Sequence, residues 1–176
     1  MADKIRRIVT GHDANGRSAF LSDGHATRIF ELPSVPGLVL TDLWETTDAP
    51  ADNSGDKDAA DRPVHLEPAP RGTIFRVVEF PPDASWQGKT DAKAAFEAIG
   101  AGHAKDAHSS NPMMHKTASV DYAIVLKGEI WAILDTGERR MTAGDVLIQR
   151  GTNHAWSNRT DAPALVAFIL VGAEPL

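Results

Sequence analysis

The fold is decided between Pro112 and Asn158, a stretch that begins PMMHKTASVDYAIVLKGEI (112–130) and ends GDVLIQRGTNHAWSN (144–158). The spacer between the two segments reads as one β-hairpin. The first segment holds His115, Thr117, Asp121 and Gly128, and the second holds Gly144, His154 and Asn158. Side chains alternate across a strand, so positions an even number apart face the same way. His115, Thr117, Ser119 and Asp121 therefore form one polar row, and His154, Trp156 and Asn158 share a face on the second segment. Polar groups aimed into a protein interior are costly unless something pairs them. A divalent metal supplies such a reason: two imidazoles and a carboxylate with open positions suit Fe(II), and also Mn, Co, Ni or Zn. His115, Asp121 and His154 are the candidate ligands. In the alternative reading the two histidines only hydrogen-bond inside a polar interior, and Asp121 caps a turn or pairs with a cation such as Lys127.

Outward from this stretch the chain reads as short strands divided by turn residues. On the N-terminal side, Ile5 to Thr10 and Arg17 to Leu21 flank Asn15-Gly16, a strong hairpin signal. Arg28 to Leu32, Leu38 to Trp44 and Gly72 to Phe80 are further strand candidates, punctuated by Pro33, Pro36 and Pro81-Pro82. Residues 47–63 hold five aspartates and almost no large apolar side chain, which reads as a mobile, solvated acidic loop. One helix is expected over 91–99, with Thr90 as an N-cap type and Gly100 at C′. It is followed by a loop with His103 and His108. Tyr122 to Leu126, Ile130 to Leu134, Val146 to Gln149, His154 to Asn158 and Leu165 to Val171 complete the strand set, with a turn at 135–137. The pattern implies an all-β barrel or sandwich. His12 and His25 sit beside turns and read as surface residues. Trp131, Trp156 and Phe168 are candidates for a pocket wall or for core packing, Tyr122 for packing or an interface, and Asn158 for fixing a turn.

Composition narrows the functional classes. The 176 residues suit one domain with a real core, and the 11 prolines and 14 glycines imply many turns. A net charge of −6 without a basic-aromatic stripe argues against a nucleic-acid surface. Cysteine is absent, which excludes disulfides and thiolate chemistry. No apolar run approaches membrane-spanning length, and MADKIRRIVTGHD has no apolar signal core, so a soluble cytoplasmic protein without a membrane partner is expected.

The pairing of H-x-T-x3-D-x6-G with GDVLIQRGTNHAWSN resembles the two conserved motifs of the cupin superfamily, H-x-H-x3–4-E-x6-G and G-x5-P-x-G-x2-H-x3-N. The resemblance covers about residues 111–171. It implies a single domain over 1–176 with a cupin-type (double-stranded β-helix or jelly-roll) barrel, whose two-motif core is 111–172. Residues 1–110 would add edge strands, the acidic loop and one short helix. In metal-binding cupins the ligands are usually both histidines and the glutamate of the first motif and the histidine of the second. His115 and His154 match histidine positions, Asp121 stands for the glutamate, and Thr117 replaces the other histidine. Arg150 stands where proline is usual, and that segment is one residue shorter. The resemblance implies a metal-dependent enzyme (dioxygenase, decarboxylase, lyase or isomerase) holding Fe, Mn, Ni or Zn and acting on a small organic substrate. Thr117, Gln149 and Trp156 are the candidate substrate contacts, and no catalytic acid or base is assigned. A metal-free module that binds a small ligand is the alternative, favoured by the loss of the histidine at Thr117. Open sheet edges between Ile5 and Leu43 imply a homodimer.

Overall fold

The computed structural model describes residues 4–175. Eleven strands and two short helices follow in the order β1 (Arg6–His12), β2 (Ser18–His25), β3 (Ile29–Glu31), β4 (Val39–Thr46), β5 (Thr73–Phe80), α1 (Asp83–Trp86), α2 (Ala92–Glu97), β6 (Ser119–Lys127), β7 (Glu129–Leu134), β8 (Gly137–Thr142), β9 (Val146–Arg150), β10 (His154–Ser157) and β11 (Ala164–Gly172). A six-stranded antiparallel sheet has the order β3-β4-β5-β11-β6-β9, a three-stranded sheet the order β10-β7-β8, and β1-β2 stands as a hairpin. This is the all-β architecture that the sequence implies. No helix among the described residues is long and apolar enough to cross a membrane.

The core follows from strand periodicity. Ile74 and Val78 of β5, Ala123 and Val125 of β6, Ile130 and Ala132 of β7, and Val166, Phe168 and Leu170 of β11 lie on alternate positions and pack in one buried cluster. Residues before the motifs thus build the barrel as well as extend it: β5 pairs with β4 on one side and β11 on the other, while β3 is an edge. Gly128 joins β6 to β7 at φ 78°, where a Cβ would come within 3.1 Å of the Pro163 carbonyl and of Ala164, so glycine is required both by conformation and by space.

A second apolar cluster closes one end of the barrel. Trp86 of α1 and Ala95 and Phe96 of α2 pack with Leu32, Val35 and Ile99. The N-cap of α2 is Asp91, whose carboxylate accepts from the Ala94 N–H at 3.1 Å, while Thr90 instead donates its hydroxyl to the Trp86 carbonyl. The sequence does not announce α1, a single turn between Pro82 and Gln87, nor β8. Residues 47–63 have no regular structure, but their aspartates are not simply solvated: Asp48, Asp58 and Asp61 pair with Arg71, Arg7 and Arg28.

Candidate active site

Two backbone hydrogen bonds create the centre of the site. The His115 N–H donates to the His154 carbonyl at 2.9 Å and the His154 N–H returns the bond at 2.8 Å, an isolated antiparallel bridge ahead of the start of β6. Directly opposed residues project to the same face, so the imidazole rings lie side by side, centroids 4.3 Å apart and tilted by 47°. In each ring Nδ1 faces the backbone carbonyl two residues earlier, Met113 at 2.9 Å and Thr152 at 3.0 Å. A carbonyl only accepts, so Nδ1 carries the hydrogen and the neutral ring keeps its lone pair on Nε2. Burial depresses the pKa of both. His154 falls to about 3, with the neighbouring His115 adding to the effect, and His115 is lowered by the same loss of solvent. Two neutral imidazoles with fixed tautomers result, which is the state in which histidine binds metals.

The polar row of the first motif forms as expected. Thr117, Ser119 and Asp121 are buried, and the Ser119 hydroxyl lies 2.8 Å from the Thr117 hydroxyl and 2.6 Å from Asp121 Oδ1. A hydroxyl has one hydrogen, so Ser119 donates to the carboxylate and accepts from Thr117. Loss of solvent raises the Asp121 pKa to about 6, against the lowering effect of the Ser119 hydrogen bond and the Arg76 charge. Arg76 is itself buried. It donates from Nε to Asp42 at 2.9 Å and from Nη2 to the His65 carbonyl at 2.5 Å.

His115, His154, Thr117, Asp121 and Trp156 all line one cavity of about 130 Å³. The set of three candidate ligands does not close around a point: among the described residues no three His, Asp or Glu side chains group tightly enough to hold an ion. Alternation fixes the face of a side chain but not its height, and six residues of near-extended chain span up to about 20 Å. Asp121 sits further along, opposite Gln149 of β9 and Leu170 of β11. Gln149 is turned to the 151–153 turn, where its amide donates to the Thr152 carbonyl at 2.9 Å. It therefore braces the loop that orients His154 and does not line the cavity. Trp131 points away from the cavity and carries the Arg159 guanidinium 4.4 Å above its ring. His12, His25, His103 and His108 are exposed.

Residues 103–171 match the family model described as "Cupin domain". This part of the chain is a cupin domain. Among curated proteins, the chain is 29% identical to "Phomopsin biosynthesis cluster protein C'" of Diaporthe leptostromiformis over 97% of the chain and 79% of that protein. It is 28% identical to "Cupin-domain-containing oxidoreductase virC" of Hypocrea virens over 97% of the chain and 77% of that protein. Among solved structures, a putative ethanolamine utilization protein from Salmonella typhimurium aligns with 98% of the chain and 100% of its own at 10% identity and a TM-score of 0.45.

Several residues of this site gave no signal in the sequence. Glu67, in the irregular segment before β5, holds His103 Nε2 at 2.9 Å and accepts from the Ala118 N–H at 3.4 Å. Its charge opposes the lowering of the His115 pKa and adds to the raising of the Asp121 pKa. Arg76 sits in a strand that reads as apolar, and its partner Asp42 is on a different strand. Phe96 of α2 meets the His115 ring at 5.0 Å between centroids, a contact that only the closing of the barrel end creates.

Proposed function

We propose that this protein is a metal-dependent cupin enzyme acting on a small organic molecule in the barrel cavity. The observation that carries the reading is the His115–His154 pair: opposed across a backbone bridge, each Nδ1–H fixed on a carbonyl, both rings on the cavity wall. The donor chemistry of two neutral imidazoles fits a divalent ion such as Fe, Mn, Ni or Zn. His115 and His154 would hold it. Asp121 is the candidate third donor in the same cavity, and in this structure it is turned to Ser119 and does not complete the set. An ion bound there supplies Lewis acidity, and iron supplies redox capacity as well. The relatives named as oxidoreductases support oxidoreductase chemistry as the first class to assay.

The chain's own residues act on a bound molecule in three ways. The wall formed by Trp156 and Phe168, with Trp86 and Phe96 of the two helices, gives the molecule an apolar lining to pack against. Asp121, with a pKa of about 6, holds or releases a proton near neutral pH, and the Ser119 and Thr117 hydroxyls connect it to the cavity wall. Gln149, through Thr152, keeps the His154 ring in place. A second reading, metal-free ligand binding, is favoured by one observation: the third candidate donor stands apart from the imidazole pair. Elemental analysis of protein purified without chelator, beside His115→Ala and His154→Ala, separates the two. About one equivalent of metal lost in both variants supports the enzyme. No metal, and none taken up on titration, rejects it in favour of the binding module.

We also propose a homodimer. Its support is a cross-strand row on the outer face of the six-stranded sheet, in which Phe75, Ile169, Tyr122 and Ile148 lie side by side on four adjacent strands. Phe75, Tyr122 and Ile148 of this row are exposed, which is the kind of apolar face a second copy covers.

A further inference from the structure

The cavity wall is selective in a way that the cupin motifs do not encode. Its volume is about 130 Å³, and dry apolar cavities only slightly larger, about 150 Å³, take up benzene in other proteins. Rings border it in sequence. His154 meets Trp156 edge-on at 6.0 Å, Trp156 meets Phe168 edge-on at 5.3 Å, and Phe168 meets Phe80 at 6.3 Å. Such edges favour a further aromatic ring between them. The far wall comes from the segment before the motifs, with Leu32, Val35, Trp86, Phe96 and Ile99 lining the space.

The polar groups on this wall are mostly committed to the protein. The Arg76 charge faces Asp42, which also receives Arg62. The Asp83 carboxylate accepts from the Ser157 hydroxyl at 2.5 Å and the Asn158 N–H at 3.1 Å. Thr117 and Asp121 are joined through Ser119. The Nε2 atoms of His115 and His154 receive no hydrogen bond from the described residues, and they lie together at one place on the wall. A multiply charged ligand would have to be desolvated with no unmatched cation to meet it, and a polyol would leave most of its hydroxyls unpaired; both are costly.

We propose that the molecule this cavity accepts is a compact apolar compound of about one ring, aromatic or of similar bulk, whose single uncharged hydroxyl donates to Nε2 of the His115–His154 pair. Sugars, phosphate esters and small dicarboxylates are excluded. The inference rests on the proposed function for the place where chemistry occurs, but not on a metal being present.

The test uses the whole purified chain, with metal content measured on each sample. Benzyl alcohol and phenol serve as ring probes, and oxalate and glucose 6-phosphate as polar probes. Binding is followed by calorimetry and by quenching of tryptophan fluorescence, since Trp86 and Trp156 line the cavity. At least one ring probe should bind ten-fold or more tightly than either polar probe. Val78→Phe, which fills the space from β5, should weaken ring binding at least ten-fold; Leu38→Phe does the same from a half-buried wall position if the first variant fails to fold. The proposal is overturned if a polar probe binds as tightly as the ring probes, if neither ring binds, or if ring binding is unchanged in a folded filling variant. Ring binding by protein that holds and takes up no metal leaves this inference standing and removes the enzyme reading. Metal together with a preference for polar probes does the reverse.

Discussion

Asp121 offers a test in which sign and size both follow from the structure. The side chain is 4% exposed, and its pKa is raised to about 6 by loss of solvent. The unfolded chain titrates near 3.9. A carboxyl whose folded pKa is raised binds its proton more tightly in the native state. Its contribution is therefore neutral below about pH 4, and stability falls as pH climbs towards 6. At 1.36 kcal/mol per unit, about 2 units correspond to roughly 3 kcal/mol of penalty at neutral pH. Asp121→Asn keeps an oxygen to accept from Ser119 and removes the charge. Chelator-treated Asp121→Asn should gain about 1–3 kcal/mol over the parent at pH 7.5, a few degrees of Tm per kcal/mol for a chain of this size, and the gain should vanish by pH 4. Urea denaturation at half-unit pH steps measures both curves. A difference that stays the same from pH 4 to 7.5, or an Asp121→Asn variant less stable than the parent at pH 7.5, refutes the argument.

Three further outcomes are expected. Asn158 is 1% exposed, donates to the Phe80 and Ala162 carbonyls at 2.9 and 2.8 Å, and accepts from the Thr160 N–H at 3.0 Å. Asn158→Ala should cost about 2–4 kcal/mol in denaturant titration through buried groups left unpaired, and a loss below 1 kcal/mol would show that the turn holds without it. Arg76→Leu removes the main partner of the fully buried Asp42 and should cost about 3–5 kcal/mol; partial rescue by the added change Asp42→Asn is the check, and no rescue means the loss is one of packing. Tyr122→Lys with Ile148→Lys places two charges in the outer row and should convert a dimer into a monomer by light scattering, whereas a parent protein that is already monomeric removes the homodimer proposal.

The strands around the motifs were legible because their side chains obey period two: the row from His115 to Asp121 faces inward as the alternation requires. The grouping of Asp121 with the two histidines was not, because alternation gives a face and says nothing of position along it. The strand β8 reads GERRMT, whose charged run hides its pairing; only Met141 reaches the core, and the other positions stand on an edge. Thr117 and Trp156 line the cavity, while Gln149, placed with them from its neighbourhood in the motif, donates to the Thr152 carbonyl. The helical cover was half visible. The capping carboxylate one residue from the expected threonine marks α2, but α1 is one turn long and owes its place to the buried Trp86 and Asp83 rather than to helix-forming residues.

The reciprocal backbone bond between His115 and His154 has a consequence for how this chain tolerates change in length. The two rings meet because Gly151, Thr152 and Asn153 bring β10 to its partner in one register. One residue inserted there would keep every letter of the second motif and turn His154 to the opposite face, since a shift of one reverses the alternation. The segment at 47–63, tied down by ion pairs and by no ladder, has no such register to lose. Insertions should accumulate in the acidic segment and be absent from the three-residue turn, so that spacing rather than wording is what the site requires its sequence to preserve.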